Sequence, residues 1–183
     1  MTAQSENRRI RMTKRLIKDA LLELLEQEKL ANITVTALCE KADVHRSTFY
    51  KHYSDPADVL SDIEQDFLDQ IPAPPQVLDQ HRQDHLLAET TAFFDYIREN
   101  ERTFRILFDE SSGSCFAAKL VEYLCSGFIP LDKETDASAS RFISLYIANG
   151  TVGMMREWVT AGFPISSQTI AGMMFFLSRK VSS

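Results

Sequence analysis

The sequence predicts an all-α protein, in which an N-terminal three-helix head is joined by a fourth helix to a C-terminal helical domain. Two observations carry this. Apolar residues recur at helical spacing, as in Ile17, Ala20, Leu21, Leu24 and Leu25 at i, i+3, i+4, i+7 and i+8, the pattern of a helix that buries one stripe. Helix-starting and helix-stopping residues also punctuate these stripes, with Thr34 before one, Asp55 and Pro56 before another, and three prolines within four positions in IPAPPQ, residues 71–76.

A first helix is expected over about residues 9–28. The stretch TVTALCEKADVHRSTFYKHY, residues 34–53, then reads as a helix, a tight turn and a second helix. The Thr34 hydroxyl can accept an unpaired backbone N–H and so cap a helix from about Val35 to Ala42. Asp43 and Val44 make the turn, because Asp tolerates left-handed backbone better than most residues. The next helix starts near His45 or Arg46. Phe49 shares the inner side with Leu38, while Arg46, Ser47, Thr48, Tyr50, Lys51 and His52 cover the outer faces. Hydroxyls, a phenol, an imidazole and cations on so short a surface can contact phosphates and base edges, as a helix in a major groove must.

Asp55 as cap and Pro56 at the first position start a fourth helix, with Val59, Leu60, Ile63 and Phe67 as its apolar face and an end before Pro72. Residues 1–54 are thus assigned to the head and 55–183 to the C-terminal domain. Helix 4 is the physical link, and the proline-rich segment breaks the helical run behind it.

The order of these elements, from LIKDALLELLEQ through ITVTALCEKADV to STFYKHY and an acidic, apolar fourth helix, resembles the TetR family of bacterial transcription regulators over residues 13–67. The resemblance implies that the three N-terminal helices bind DNA and that the remaining helices bind a ligand and dimerise. It also implies a repressor released by a small molecule. The chain departs from the family's pattern at Asp43, where Gly is frequent, at His45, where Ser or Thr is frequent, and at Pro56, near which a phosphate-contacting Lys is common.

For the head, Ser47, Thr48 and Tyr50 are assigned to base edges, thymine methyls or nearby phosphates. Lys51, His52 and Tyr53 are assigned mainly to the DNA backbone, with Thr34 and Thr36 meeting phosphate at the start of the second helix. Arg46 reads a guanine or contacts phosphate, and His45 stands beside it at the start of the reading helix. Charge agrees: residues 1–53 hold ten Lys and Arg against seven Asp and Glu, a net of +3, whereas residues 54–183 hold ten against nineteen, a net of −9. Arg8, Arg9, Arg11, Lys14, Arg15 and Lys18 lead into the head, as expected where one end of a chain meets phosphates.

The C-terminal domain is rich in phenylalanine. Leu86, Thr90, Phe93, Phe94 and Ile97 form one stripe, Phe104, Leu107 and Phe108 another, and Phe116, Leu120 and Leu124 a third. Each can be hydrophobic core, or the concentration of rings can line a pocket for an apolar or aromatic effector. The pocket candidates are Phe93, Ile97, Phe104, Phe108, Phe116, Leu120, Tyr146 and Asn149.

A helix from about Ala137 to Ala161 carries two apolar stripes, one through Phe142, Leu145, Tyr146 and Gly153, the other through Ile143, Ile147, Gly150, Met154 and Trp158. A helix apolar on two sides needs two partners. A last helix over about Ser167–Val181 repeats the pattern, and together they can build a four-helix homodimer interface. Ile147, Met154, Trp158, Ile170, Met174 and Leu177 are the candidate interface residues. A two-fold dimer would set two reading helices about 34–36 Å apart and so predicts a palindromic operator in double-stranded DNA. Asn149 and Arg156 can serve a ligand or the dimer.

Other chemistry finds little support. There is no Gly-rich phosphate loop, no G-x-S-x-G and no H-E-x-x-H, so no enzyme and no cofactor are expected. His81 and His85 share a helix face and could hold a metal, but QHRQDH also reads as a solvated helix start. Cys39, Cys115 and Cys125 form no C-x-x-C pair and are expected as small buried hydrophobes. No run of about 18 apolar residues occurs, and a cytoplasmic protein without a membrane partner is expected. The expected function is transcription regulation by sequence-specific DNA binding, most simply as a ligand-released repressor. The alternative is an interaction module or activator whose C-terminal domain binds a protein partner.

Overall fold

The computed structural model describes residues 3–71, 80–127 and 137–181, and every regular element among them is helical. The elements are α1 (Ala3–Leu25), α2 (Val35–Ala42), α3 (Arg46–Phe49), α4 (Pro56–Leu68), α5 (Gln80–Glu99), α6 (Glu101–Phe108), α7 (Phe116–Gly127), α8 (Ala137–Thr160) and α9 (Ser167–Val181). Single 3-10 turns lie at Leu30–Asn32 and Glu110–Ser112. The chain divides into two compact units, Met1–Phe67 with Asp109–Cys115, and Leu68–Phe108 with Phe116–Ser183. Pro72 to Gln76 of the proline-rich segment lie outside the described residues.

In the first unit α1 packs along α2, and Ile17, Leu21, Leu38, Phe49 and Val59 are fully enclosed. The helix begins at Ala3 rather than near residue 9. Nothing in the apolar pattern announces those extra turns, because residues 3–8, AQSENR, hold no large apolar side chain. The fourth helix starts as its sequence dictates. Asp55 Oδ1 accepts the Asp58 N–H at 2.9 Å, and Asp58 Oδ2 accepts the Ser54 N–H at 2.9 Å, so two donors left over at the helix start are satisfied.

Residues 109–115 form a strap within this unit although α6 and α7, on either side of it, belong to the other. Asp109 Oδ1 accepts the Ser111 N–H at 2.8 Å and opens the 3-10 turn. Gly113 closes it at φ 81°, where a Cβ would stand 3.2 Å from the Leu30 Cβ. Glu64 of α4, only 2% exposed, accepts the Cys115 N–H at 2.7 Å and the Ser114 hydroxyl at 2.8 Å. A buried carboxylate needs such donors.

In the second unit α5 packs along α9 and α7 along α8. Its core is a chain of edge-to-face rings, Phe94 on Trp158 at 5.2 Å and Trp158 on Phe163 at 4.6 Å, with a second group in which Phe104 meets Phe116 at 5.8 Å and Phe108 meets Phe116 at 5.4 Å. This geometry suits the ring quadrupoles. Gly162, φ 76°, stops α8 just past Thr160, with the Phe163 N–H bonded back to the Trp158 carbonyl at 2.9 Å, a left-handed helix stop.

Candidate nucleic-acid interface

The geometry of the head begins with one backbone residue. Asp43 adopts φ 52°, ψ 47°, the left-handed conformation that ends α2. The Val44 N–H returns to the Cys39 carbonyl at 3.0 Å and the Asp43 N–H to that of Glu40 at 3.3 Å, which satisfies two carbonyls of the last turn. At the other end of α2 the Thr34 hydroxyl accepts the Ala37 N–H at 3.1 Å. The helix, its cap and its turn are therefore those the sequence predicts.

The helix after this turn is shorter than expected. Only Arg46–Phe49 is α-helical, after which Lys51 N–H bonds to Thr48 O at 3.2 Å and Tyr53 N–H to Phe49 O at 3.0 Å in successive turns. Phe49 is fully buried and fixes the segment. Around it His45, Arg46, Ser47, Tyr50 and Lys51 are exposed, while Thr48 and His52 are half-buried. Tyr50 stands out 59% exposed, its ring edge-on to Phe49 at 5.6 Å. The Arg46 guanidinium donates to the Thr36 hydroxyl, so α3 is tied back to α2 by a side chain that still faces solvent. Thr34 is exposed and Thr36 half-buried.

Tyr53, expected at the DNA backbone, is buried instead, 4% exposed. Its hydroxyl donates to Asp62 Oδ2 at 2.7 Å, and the Lys14 ammonium lies over its ring at 5.1 Å. Asp62 also receives Lys18 at 2.9 Å and Lys14 at 3.2 Å, and Lys18 reaches Asp66 at 2.5 Å. Burial works to raise the Asp62 carboxyl, yet the donors Tyr53, Lys18 and Lys14 prevail and hold it at about 2. The same burial, with the Asp62 hydrogen bond and charge added to it, pushes the Tyr53 phenol well above its ordinary range. This cluster fastens α1 to α4, and no local spacing announces it, because Lys14 and Lys18 of α1 lie 44 to 48 residues from their partners on α4.

The charge expectation changes with the fold. Lys14 and Lys18 are committed to α4, and Lys41 pairs with Glu23 at 2.6 Å. Because α4 and the strap belong to the first unit, that unit holds ten Lys and Arg against fourteen Asp and Glu, a net of −4 rather than the +3 of residues 1–53. Any attraction for a polyanion must come from local groups of cations.

The other candidate residues fall in different surroundings. Phe93, Ile97, Phe104, Phe108, Phe116 and Leu120 are all buried within the second unit, and Phe104, Phe108 and Phe116 lie against one another. Tyr146, 69% exposed, and Asn149, whose Nδ2 donates to the Leu145 carbonyl at 2.8 Å, lie on an outer face of α8 with Phe142, apart from those rings. Of the interface candidates, Ile147, Trp158 and Ile170 are buried inside the unit, Met154 and Met174 are half-buried, and only Leu177 is exposed. The two stripes of α8 are thus used the other way round: Ile147, Ala148, Val152, Met155, Trp158 and Val159 face inward, and Phe142, Leu145 and Tyr146 face out. Arg156 is exposed on the outer side as well.

Cys115 is exposed rather than buried, Cys125 is half-buried, and Cys39 is buried, which pushes its thiol up. His85 is exposed with Nδ1 3.4 Å from Glu89, while the His81 side chain lies outside the described residues. No group of three metal-binding side chains occurs among the described residues, and none of their helices is long and apolar enough to cross a membrane.

The family model described as "Transcriptional regulator C-terminal region", of the TetR type, matches residues 84–180, just over half of the chain. No curated protein matches it. Among solved structures the chain is similar to a TetR transcriptional regulator from Streptococcus agalactiae, at 19% identity and a TM-score of 0.67, covering 97% of this chain and 99% of that one. It is also similar to the dihydroxyacetone kinase operon activator DhaS, at 20% identity and a TM-score of 0.61, covering 92% and 94%. A Syntrophomonas wolfei protein described as a TetR-family transcriptional regulator aligns at 16% identity with a TM-score of 0.65, over 93% and 94%. At such identities these structures share the fold.

Proposed function

The chain belongs to the TetR family of transcriptional regulators, and on that premise we propose that it binds a palindromic operator as a homodimer and represses until an apolar or aromatic effector releases it. The observation that carries DNA binding is the reading surface. A left-handed Asp43 and a buried Phe49 hold Ser47, Tyr50 and Lys51 out to solvent. Ser47, Tyr50 and Arg46 are the base-reading candidates, Lys51 a phosphate contact, and His45, Thr48 and His52 flank them. Thr34 and Thr36 stand at the start of α2, where a phosphate is favoured by the helix end.

Dimerisation is supported by large apolar side chains that stay mostly exposed on the second unit. Phe142 is 72% exposed and Phe176 58%, and no side chain lies within 4 Å of where a Cβ would stand on Gly150 or Gly153. An exposed apolar face of this kind marks an interaction surface. A second copy of α8 and α9 is its proposed occupant, with Leu177 and the half-buried Met154 and Met174 beside the outer residues.

The effector reading rests on the ring group of Phe104, Phe108 and Phe116, which a ligand would have to part, with Phe93, Ile97 and Leu120 around it. Phe108 and Phe116 immediately flank the strap, and the strap is bonded to Glu64 of α4. Rearranged rings would therefore pull on the helix that leaves the head, which is the differential contact a population shift requires.

The test is fluorescence anisotropy on duplex DNA from upstream of the protein's own gene, against scrambled competitor. Binding that survives the competitor and is abolished by an aromatic compound supports the proposal. Binding equal to that of scrambled DNA contradicts it. A reporter driven by the bound sequence then reads the sign: activity falling on expression of the protein is repression, and activity rising is activation.

A further inference from the structure

The reading surface supplies few cations. Of the ten Lys and Arg in the first unit, Lys14, Lys18, Lys41 and Arg15 are held by acidic side chains, and Arg46 is tied to Thr36. Arg8, Arg9, Arg11, Lys29 and Lys51 have no acidic partner among the described residues, and all five are exposed. Three of these five stand within two turns at the beginning of α1. That part of the helix projects past its own packing. Ile10 lies on the line that leads to Ile17 and Leu21 yet is 41% exposed, and Met12 is 52% exposed, whereas Ile17 and Leu21 are fully enclosed. From Arg8 to Ile17 the axis advances about 13 Å at about 1.5 Å per residue. Two turns of cationic helix thus stand clear of the core of a unit whose net charge is −4.

We propose that Arg8, Arg9 and Arg11 form a second DNA contact, a cationic arm that binds phosphates outside the bases read by α3 and supplies most of the salt-dependent part of the affinity. The inference rests on the DNA-binding reading above. Its chemistry is charge complementarity: an unpaired guanidinium on a solvated helix loses little water on meeting a phosphate and releases a condensed counterion. The arm carries no base specificity, because phosphates look alike in every sequence.

The experiment measures anisotropy on a duplex of random sequence from low to high salt, for wild type, R8A/R9A/R11A, R8K/R9K/R11K and K51A. Each phosphate contact contributes about 0.9 to the slope of log K against log salt. The alanine arm variant is expected to lose about two to three units of slope per head with an unchanged melting temperature, K51A about one, and the lysine variant almost none. An alanine variant with the wild-type slope overturns the arm while leaving DNA binding intact. Loss of slope in the lysine variant also overturns it, since a phosphate contact asks only for charge. Wild type that binds no duplex even at low salt overturns the DNA-binding reading, and the arm with it.

Discussion

Glu64 and Cys115 are joined at 2.7 Å, the carboxylate of α4 accepting the last backbone N–H of a strap 51 residues further along the chain. With the Ser114 hydroxyl as second donor at 2.8 Å, the carboxylate is compensated despite its burial. Replacing Glu64 by Leu removes the acceptor for both and is expected to destabilise the first unit by about 1–3 kcal/mol. Gln keeps a carbonyl oxygen there and should cost less. Hydrogen exchange at Ser114 and Cys115 checks the assignment: faster exchange in Glu64→Leu than in Glu64→Gln is expected, and equal protection in both would remove Glu64 as the anchor.

Gly113 tests the strap from its other side. Its φ of 81° disfavours any side chain, and a Cβ would meet the Leu30 Cβ and Cδ2, both at 3.2 Å. Gly113→Ala is expected to lower stability by about 1–2 kcal/mol from the left-handed backbone alone. Trimming Leu30 to Ala in the same chain leaves that part in place, since it relieves only the Cδ2 contact. Thermal melts of the single and double variants separate the two effects.

The Asp62 cluster predicts an acid-sensitive joint between α1 and α4. The Asp62 carboxyl is held at about 2 against an ordinary 3.8, so its folded value is depressed. The stabilisation is therefore complete above pH 4 and is lost as pH falls from about 4 to 2. With partial exposure allowed for, the loss is about 1 kcal/mol. In Asp62→Asn this part of the acid-induced loss of stability should disappear, which urea denaturation at a series of pH values would read.

Tyr50 is expected to matter for recognition and not for folding. At 59% exposure, with only its edge on Phe49, Tyr50→Ala should leave the melting temperature close to wild type while reducing discrimination against scrambled DNA by about 1–3 kcal/mol. Tyr53→Phe should do the reverse, since its hydroxyl serves Asp62. Competition anisotropy beside a thermal melt distinguishes them.

The outer face of α8 and α9 is expected to hold the dimer. Phe142→Glu with Phe176→Glu should give a folded monomer by sedimentation, with operator affinity falling sharply. Trp158→Ala should instead unfold the second unit by about 3–5 kcal/mol, because that ring is buried against Phe94 and Phe163 and its Nε1 donates to the Ile165 carbonyl at 2.9 Å.

The features readable from the residues alone are local. The cap at Thr34, the left-handed Asp43, the start of α4 at Asp55 and Pro56 and the inward Phe49 each depend on residues within about four positions, and so does helical periodicity. The family followed from the order of those local signals. The features that emerge only on folding depend on neighbours far along the chain. Both stripes of α8 are apolar, so hydropathy could not tell that Ile147 and Trp158 pack inward while Phe142 and Tyr146 remain outside. Tyr53 and Lys51 stand two residues apart in the same polar run, yet one is enclosed by Lys14 and Asp62 and the other faces solvent. Charge behaves the same way. A count along the chain gives the head +3, but pairing across α1 and α4 spends Lys14 and Lys18 internally and, among the described residues, leaves Arg8, Arg9, Arg11, Lys29 and Lys51 without an acidic partner. Local backbone chemistry is written in adjacent residues, whereas burial and ion pairing are properties of surfaces that exist only once distant segments have met.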